Sequence, residues 1–180
     1  MTTPTIETPI NLLVEGPTDE IVLRSVLSAA GLSCGTVYGK NGKADLLSKL
    51  PRYNQAAAHY GRWLAVVDLD HDRDCAPLFV SDTLPAASVG MRYRVAVRAI
   101  EAWLLADAER LAQYLGVSPA LFPRVPDQDD HPKRTLVNLA RRSRKRAIRE
   151  EMVPRPGSGA QVGPGYLSRV QAFVSAWRPQ

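Results

Sequence analysis

Four short apolar runs, each followed by a turn or a helical pattern, constrain the fold of this chain more than any other feature. The runs are Ile10–Val14, Gly35–Tyr38, Trp63–Val67 and Tyr93–Val97. The third is continuously apolar, which is typical of a strand covered on both faces of a parallel sheet. The alternation of strands with helical patterns predicts an α/β fold with an open, mainly parallel four-stranded sheet flanked by helices.

Four amphipathic or basic segments predict the helices that matter for function. They are expected to run from an N-cap at Thr18 to Gly31, along an apolar stripe from Ile100 to Leu115, from about Arg134 to Arg149, and from about Tyr166 to Trp177. A proline- and aspartate-rich connection occupies residues 118–130. We therefore expect an α/β core in residues 1–117 and a basic helical C-terminal extension in residues 118–180, packed together as a single domain.

The composition excludes several classes of protein. The 180 residues are 45% hydrophobic and 23% charged, as in an ordinary globular protein. Cys34 and Cys75 are the only two cysteines and form no metal-binding motif, so a structural zinc site is not expected. No apolar run approaches the roughly 20 residues of a membrane span. The segment Met1–Pro9 lacks the features of a secretion signal. We expect a cytoplasmic protein with no membrane association.

The charges are distributed unevenly along the chain. Lysine and arginine number 23 against 18 acidic residues, and the basic residues gather late, with 16 of the 23 after residue 90, while the acids are spread along the chain. A concentrated basic face predicts a polyanionic partner, with nucleic acid as the first candidate. An acidic surface on a partner protein is the alternative. The residues predicted to contact nucleic acid here are Arg141, Arg142, Arg144, Lys145 and Arg146.

Four early carboxylates stand where an α/β enzyme places its site. Glu15 follows the first predicted strand, Asp19 lies one helical turn later, and Asp68 and Asp70 follow the third strand. If the first and third strands are neighbours, these side chains meet at the carboxyl edge of the sheet. An all-oxygen set suits Mg²⁺ or Mn²⁺ and predicts phosphoryl transfer. The alternative for Asp19 is a first-turn helix charge.

The segment Gly39-Lys40-Asn41-Gly42-Lys43 is a glycine turn with two lysines. It lacks the spacing of a phosphate-binding loop, and Ala44 stands where that loop requires serine or threonine, so nucleotide hydrolysis is not expected. Lys40 and Lys43 remain candidates for contacting a phosphate. The three histidines are scattered, and His71 is expected on a surface loop or at the rim of the acidic site.

Four segments together resemble a known family. They are Val14-Glu15-Gly16-Pro17-Thr18-Asp19-Glu20, Val67-Asp68-Leu69-Asp70, Arg98-Ala-Ile-Glu101-Ala-Trp103-Leu-Leu-Ala-Asp107 and Gly163-Pro164-Gly165-Tyr166. The first two resemble the TOPRIM signature of topoisomerases, primases and OLD-type nucleases. All four together look like a small stand-alone TOPRIM-like family of unassigned function, and the match spans about Asn11 to Trp177.

The resemblance implies roles for particular residues. Glu15 inherits the part of general acid/base or metal ligand, and Asp68 with Asp70 inherits Mg²⁺ binding. Asp19 and Glu101 match the additional acids of OLD-type nucleases. Those nucleases also use a late lysine, for which Lys133 is the nearest candidate, ahead of Lys145. Without the resemblance, Glu101 is a first-turn helix acid paired with Arg98.

The resemblance and the acids together predict a Mg²⁺-dependent nuclease that hydrolyses DNA. No nucleophilic-tyrosine domain, zinc module or ATPase is present in the sequence, so topoisomerase and primase roles are disfavoured. The resemblance further implies a separate ATPase partner and a part in defence against mobile DNA. The alternative is a non-catalytic TOPRIM-like module that docks an ATPase or nucleic acid through its arginine-rich helix.

Overall fold

The structure, a computed structural model, describes residues 8–179, and within them the chain alternates strands and helices before ending in a helical half. The strands are β1 (Ile10–Val14), β2 (Cys34–Gly39), β3 (Arg62–Asp68) and β4 (Met91–Ala96). The helices are α1 (Pro17–Ala29), α2 (Lys43–Ala57), α3 (Ala76–Thr83), α4 (Glu101–Ala106), α5 (Ala108–Leu115), α6 (Pro132–Arg141), α7 (Arg146–Met152) and α8 (Tyr166–Val174). Two short 3₁₀ turns, Pro119–Leu121 and Pro126–Gln128, occupy the proline-rich connection.

The four strands form one open parallel sheet in the order β2-β1-β3-β4, so the predicted fold class is confirmed. β1 pairs with β2 on one side, with Ile10 opposite Cys34, and with β3 on the other, with Ile10 opposite Arg62. The first and third strands are therefore neighbours, which is the condition that the expected meeting of the early carboxylates required; the sequence itself left the strand order open. Parallel neighbours require crossover connections, and α1 and α2 lie in the connections between the first three strands.

The chain divides into two compact units. The first contains the described residues up to Val67 together with Cys75–Val95, and it carries the sheet and α1 to α3. The second contains Asp68–Asp74 and Ala96–Trp177, with α4 to α8. The sequence places a boundary at residue 117, whereas the units divide after Val67 and after Val95, because the loop beyond β3 groups with the helical half.

Each unit has its own apolar core. In the first, Leu12 and Leu13 of β1 and Leu46 and Leu50 of α2 are completely buried. In the second, buried leucines of α4, α5 and α6 are the largest contributors: Leu104, Leu105, Leu111, Leu115 and Leu136. Burying a leucine side chain contributes about 1.5–3 kcal/mol, so both sets are adequate to hold their helices in place.

Two predicted helix ends differ from the structure. α1 begins at Pro17, with Gly16 as its N-cap, so the prediction that Thr18 is the N-cap is wrong. Proline suits the first helical position because its missing N–H is not needed there. α8 ends at Val174, three residues before the predicted end at Trp177.

The helix predicted from Ile100 to Leu115 is two helices. α4 ends at Ala106 and α5 starts at Ala108, because Asp107 leaves the helical region with φ −88° and ψ 61°. The apolar stripe continues across the break, which is why periodicity alone did not reveal it.

The basic helix predicted over Arg134–Arg149 is also two helices, α6 and α7, separated by residues 142–145. Ser143 is the cause of the break. It is 3% exposed, and its hydroxyl donates to the carbonyl of Leu115 and accepts from Lys145 N at 2.9 Å. A side chain that bonds the backbone in this way competes with helix continuation.

Within the part of the chain that the structure describes, no helix combines the length and apolarity needed to span a membrane. Most of the segment Met1–Pro9, on which the expectation of no secretion signal rests, lies outside the described residues.

Candidate functional site

In the first unit, Glu15 and Asp19 flank the turn between β1 and α1. Asp19 is 6% exposed, and its Oδ2 accepts a hydrogen bond of 2.7 Å from the backbone N–H of Gly16. This bond satisfies an amide at the helix start, so Asp19 has a capping role whatever else it does. Glu15 is half-buried, and its carbonyl accepts from Gly42 N at 2.9 Å. Their roles as metal ligands stay predictions.

The two lysines of the glycine turn have partners within the first unit. Lys40 Nζ lies 2.9 Å from Glu20 Oε2, and this contact, together with Arg24, holds the pKa of Glu20 below its usual range. Lys43 Nζ lies 5.9 Å from the centre of the Phe79 ring. Gly39 makes the turn possible, because its φ of 91° favours glycine and a Cβ would strike the Val14 carbonyl. Phosphate contact by either lysine stays a prediction.

In the second unit, the loop after β3 is held by backbone bonds that orient Asp68 and Asp70. Asp68, the last residue of β3, is 9% exposed, and its Oδ1 accepts from Ile100 N at 2.8 Å. Asp70 adopts a left-handed conformation with φ 48°. Its N–H donates to the carbonyl of Arg98 at 2.7 Å, and its own carbonyl accepts from the Arg98 guanidinium at 2.9 Å.

Glu101 is the most unusual side chain of the second unit, because it is a carboxylate with no solvent exposure. Tyr166 Oη donates to its Oε1 at 3.1 Å, and Lys133 Nζ lies 3.5 Å from the same oxygen. Oε2 has no hydrogen-bond partner among residues 8–179. A buried carboxylate oxygen without a partner costs free energy, so its presence requires an explanation, of which a catalytic role and a bound ion or water are two.

The three members of this cluster come from the starts of three helices. Glu101 is the first residue of α4, Lys133 the second of α6 and Tyr166 the first of α8. The alternative prediction is right in part: Glu101 does lie in the first turn of α4, but it does not pair with Arg98, whose described side-chain contacts are the carbonyls of Asp70 and Arg73. The structure therefore brings together two predicted catalytic residues, Glu101 and Lys133, that are distant in sequence.

Sequence reasoning gave Tyr166 no role, although it closes the Gly163-Pro164-Gly165-Tyr166 segment. Gly163 packs so closely on the end of α7 that a Cβ would strike the backbone of Glu151, Met152 and Val153. Gly165 N–H donates to the carbonyl of Glu151 at 2.8 Å. The two glycines thus fix the start of α8 and place the tyrosine hydroxyl on Glu101. A motif with two glycines before a buried tyrosine was the available signal.

Burial raises the pKa of Tyr166 well above its usual value, and the negative charge of Glu101 raises it further. A raised pKa in the folded state stabilises the fold fully below the unfolded value, near 10, and this stabilisation is lost as pH rises through the folded pKa.

We expect the free energy of unfolding of Tyr166→Phe to fall less steeply with rising pH than that of the wild type. Below pH 9 it should be less stable by about 1.5–3 kcal/mol, because a hydrogen bond to a charged group is lost. Above pH 10 the wild type should lose up to about 1.4 kcal/mol more per pH unit than the variant. Urea unfolding from pH 7 to 11.5 measures both slopes, and Tyr60→Phe, which removes the hydroxyl of a tyrosine that is 75% exposed, serves as the control. Parallel pH profiles for wild type and Tyr166→Phe would contradict the assignment.

A cavity of about 460 Å³ lies in the second unit beside this cluster's Lys133. Its carboxylates are Asp68, Asp70 and Asp130, and its cations are Arg98, Lys133 and Arg134. His71 and His131 also line it, with ring centres 5.3 Å apart. His71 therefore lies on an exposed loop and also lines this cavity. His131, Arg134 and Asp130 were not predicted here, because only the fold brings residues 130–134 to the loop after β3.

The donor groups of this cavity limit the way in which a divalent cation can bind. Among the described residues, no three His, Cys, Asp or Glu side chains converge to form a metal site. Mg²⁺, however, keeps several waters and is usually held by one or two carboxylates together with substrate phosphate oxygens. Asp68 and Asp70 provide such carboxylates at the cavity. The residues therefore fit a magnesium ion bound jointly with a phosphate and do not form a complete cage.

The predicted nucleic-acid contacts of the basic segment separate into two groups. Lys145 Nζ donates to the carbonyls of Gln113 and Tyr114, at 3.1 and 2.7 Å, and so caps the end of α5. Arg146 pairs with Glu150 at 2.7 Å. Arg141, Arg142 and Arg144 are exposed, and none forms an ion pair with a carboxylate among residues 8–179.

No family model, curated protein or solved structure matches this chain. The resemblance to TOPRIM proteins therefore stays a prediction, which rests on the four sequence segments that suggested it.

Proposed function

We propose that this protein is a Mg²⁺-dependent, TOPRIM-like nuclease that hydrolyses DNA phosphodiester bonds in the cavity of the second unit. The observation that supports this most is Glu101, a completely buried carboxylate with an unpartnered oxygen beside Lys133. A core that needed only stability would place an apolar side chain there.

Each group of the cavity has a chemical task in this proposal. Asp68 and Asp70 would hold the metal ion, which would supply the positive charge that polarises the phosphate and activates water. Arg98 and Arg134 attract the phosphodiester, because guanidinium groups match phosphate oxygens in geometry and charge. Lys133 balances the charge of Glu101 and is positioned to stabilise negative charge that develops on the phosphate.

Three parts of the proposal lie outside this cavity. Glu15 and Asp19 belong to the first unit, and their contribution as ligands or proton acceptors is proposed from the resemblance. Arg141, Arg142 and Arg144 are proposed to hold the DNA backbone, with Lys40 and Lys43 as further phosphate contacts. A separate ATPase subunit, and a role in defence against mobile DNA, are proposed from the resemblance alone.

One set of contacts favours a second candidate, a non-catalytic module that docks an ATPase or nucleic acid. Asp68 already accepts a backbone hydrogen bond, and Glu101 already pairs with Lys133 and Tyr166. Acids with such hydrogen bonds and ion pairs can stabilise the fold without any catalytic role. In the module, the exposed arginines would bind the partner and the acids would only stabilise the second unit.

Cleavage assays distinguish the two candidates. Purified protein is incubated with supercoiled plasmid and with an end-labelled single strand, in Mg²⁺, in Mn²⁺ and in EDTA. The nuclease is expected to cut at least one substrate in metal and neither in EDTA. Absence of cutting, together with an unchanged melting temperature in metal with and without the strand, would favour the module. A clear metal-induced shift without cutting would indicate a missing partner or a different substrate.

A further inference from the structure

A second cavity of the helical unit, about 400 Å³ in volume, lies along α6 and has no part in the proposed chemistry. Its lining comes from α6, from the residue that follows it and from the first 3₁₀ turn: Leu121, Thr135, Asn138, Leu139, Arg141 and Arg142. Pockets that bind small organic groups usually measure about 300–1,000 Å³ and combine apolar walls with a few polar groups. This cavity has that size, and Leu121 and Leu139 supply its apolar part, but most of its lining is polar or charged.

The lining of this cavity combines apolar, uncharged polar and positively charged side chains. Leu121 is 39% exposed and supplies apolar surface to the cavity. Asn138 carries an amide that can both donate and accept hydrogen bonds, and Thr135 adds a hydroxyl. Arg141 and Arg142 place two guanidinium groups at the same cavity. A ligand that suits all of them has a flat apolar part with polar edges and a separate anionic part.

The charge of these arginines is uncompensated, in contrast to that of other arginines of the same unit. Arg146 pairs with Glu150, and Arg169 pairs with Glu151 at 2.6 Å. No such ion pair to Arg141 or Arg142 occurs within residues 8–179, and the one side-chain contact of Arg141 is a long bond of 3.5 Å to Asn138. The dipole of α6 favours a cation in the last turn of the helix by about 0.3–1 kcal/mol. That effect explains a positive charge at this place but not why two arginines line one cavity.

The backbone that presents the two arginines is fixed. Directly after Arg142, the buried Ser143 hydroxyl bonds the end of α5, and the Ser143 carbonyl accepts from the Arg149 guanidinium at 2.5 Å. The N–H of Arg144 donates to the carbonyl of Gly116 at 3.2 Å. A preorganised backbone reduces the entropy that a ligand must overcome on binding.

We propose that this cavity binds one unpaired nucleotide of single-stranded DNA. The base lies against Leu121 and reaches Asn138 with its polar edge, while the adjoining phosphate meets Arg141 and Arg142. The inference rests on the proposed function for DNA as the ligand, and it deepens that function by naming single-stranded DNA as the substrate class. Proteins that bind single strands combine a basic groove with side chains, usually aromatic, on which bases stack. Here the two arginines supply the basic part, and Leu121 supplies an apolar contact in place of an aromatic one.

Two other polyanions fit the cavity less well. A duplex keeps its bases stacked, so it would offer only phosphates to the arginines and leave the leucine and amide surfaces empty. An acidic peptide would satisfy the guanidinium groups through carboxylates, but it has no flat group for the apolar wall. Duplex DNA and an acidic peptide are therefore the competing ligands in the test.

Fluorescence anisotropy in EDTA measures binding without cleavage. The probes are a labelled 12-nucleotide single strand, the same strand with abasic sites, the corresponding duplex and a polyglutamate peptide. We expect wild type to prefer the intact single strand by roughly tenfold or more over the duplex and over the abasic strand. Arg141→Ala/Arg142→Ala should weaken single-strand binding by roughly tenfold or more, because two phosphate contacts are lost.

Two comparisons make the result specific. Arg146→Ala, which removes an exposed arginine that is already paired, should change binding less than twofold to threefold. Leu121→Ala/Asn138→Ala should remove the preference for the intact strand over the abasic one and leave the abasic affinity unchanged.

The inference is overturned if wild type prefers the duplex or the peptide, if it binds intact and abasic strands equally, or if Arg141→Ala/Arg142→Ala and Arg146→Ala behave alike. Failure of the proposed function gives a different outcome, in which the single-strand preference is present but no metal condition produces cleavage.

Discussion

Asp68→Asn is expected to abolish metal-dependent cleavage while leaving the protein folded. Asparagine retains an Oδ1 that can accept the hydrogen bond from Ile100 N, which measures 2.8 Å in the wild type. It removes the negative charge that a divalent cation requires of its ligand. We expect cleavage to fall by roughly 100-fold or more, because a group that acts on the transition state is lost.

The fold of the variant is the control for this prediction. Asp68→Asn should melt within a few degrees of the wild type, whereas Asp68→Ala should lose a further 1–3 kcal/mol or so, because it leaves a buried N–H unsatisfied. Asp72→Asn, in the same loop and away from the cavity lining, should cut normally. Single-turnover cleavage and thermal unfolding supply the data. A folded Asp68→Asn that cuts at the wild-type rate would show that the site is elsewhere.

Glu101→Met/Tyr166→Phe is expected to separate activity from stability. Glu101 is completely buried, and its Oε2 has no partner in the described chain. The double change removes the carboxylate and also the hydroxyl that would otherwise lose its acceptor. Replacing a buried charged group and its partner by apolar groups of similar volume is often neutral, or stabilising by about 1–4 kcal/mol. We therefore expect equal or greater stability, together with loss of cleavage.

The opposite outcome has a clear meaning. If the double variant unfolds several kcal/mol more easily than the wild type, Glu101 is a structural anchor of α4 and α8, and the module is favoured. Lys133→Met is a second variant that tests the cluster of Glu101, Lys133 and Tyr166. It should reduce cleavage without stabilising the fold, because Lys133 is partly exposed and the charge of Glu101 would remain buried.

The strands of this protein were predictable because their signal is local. Trp63–Val67 is a continuous apolar run that ends at a charged residue, and β3 spans Arg62–Asp68. Each predicted strand overlaps an observed one in the same way. The order of the strands was not predictable, because the crossover rule for parallel sheets fixes the hand of a connection and not which strands become neighbours. Short-range pattern was therefore sufficient for the strands but not for their order.

The helical unit was predicted less well because long-range contacts decide it. Ser143 breaks the basic helix through a bond to Leu115, 28 residues away, and no periodicity records such a bond. The Glu101 and Tyr166 contact joins residues that are 65 positions apart. The sequence suggested Glu101 and Lys133 only through resemblance, and it suggested Asp68 through its place after a buried strand.

The predicted basic contacts differ in whether a carboxylate neutralises them, which the composition of the segment does not reveal. Arg141 and Arg146 are both exposed arginines of one basic stretch. Only Arg146 has a carboxylate one turn away that neutralises it. The positive charge that no carboxylate of the described chain neutralises therefore lies at the end of α6, where we expect a polyanion to bind.

The most direct test of the central claim is the initial rate of single-strand cleavage as a function of Mg²⁺ concentration, measured for wild type and Asp68→Asn side by side. The account predicts no cleavage in EDTA, a saturable rise with Mg²⁺ for the wild type, and a rate for the folded variant that stays near the EDTA baseline. Cleavage that is independent of Mg²⁺, or identical Mg²⁺ curves for the two proteins, would contradict it.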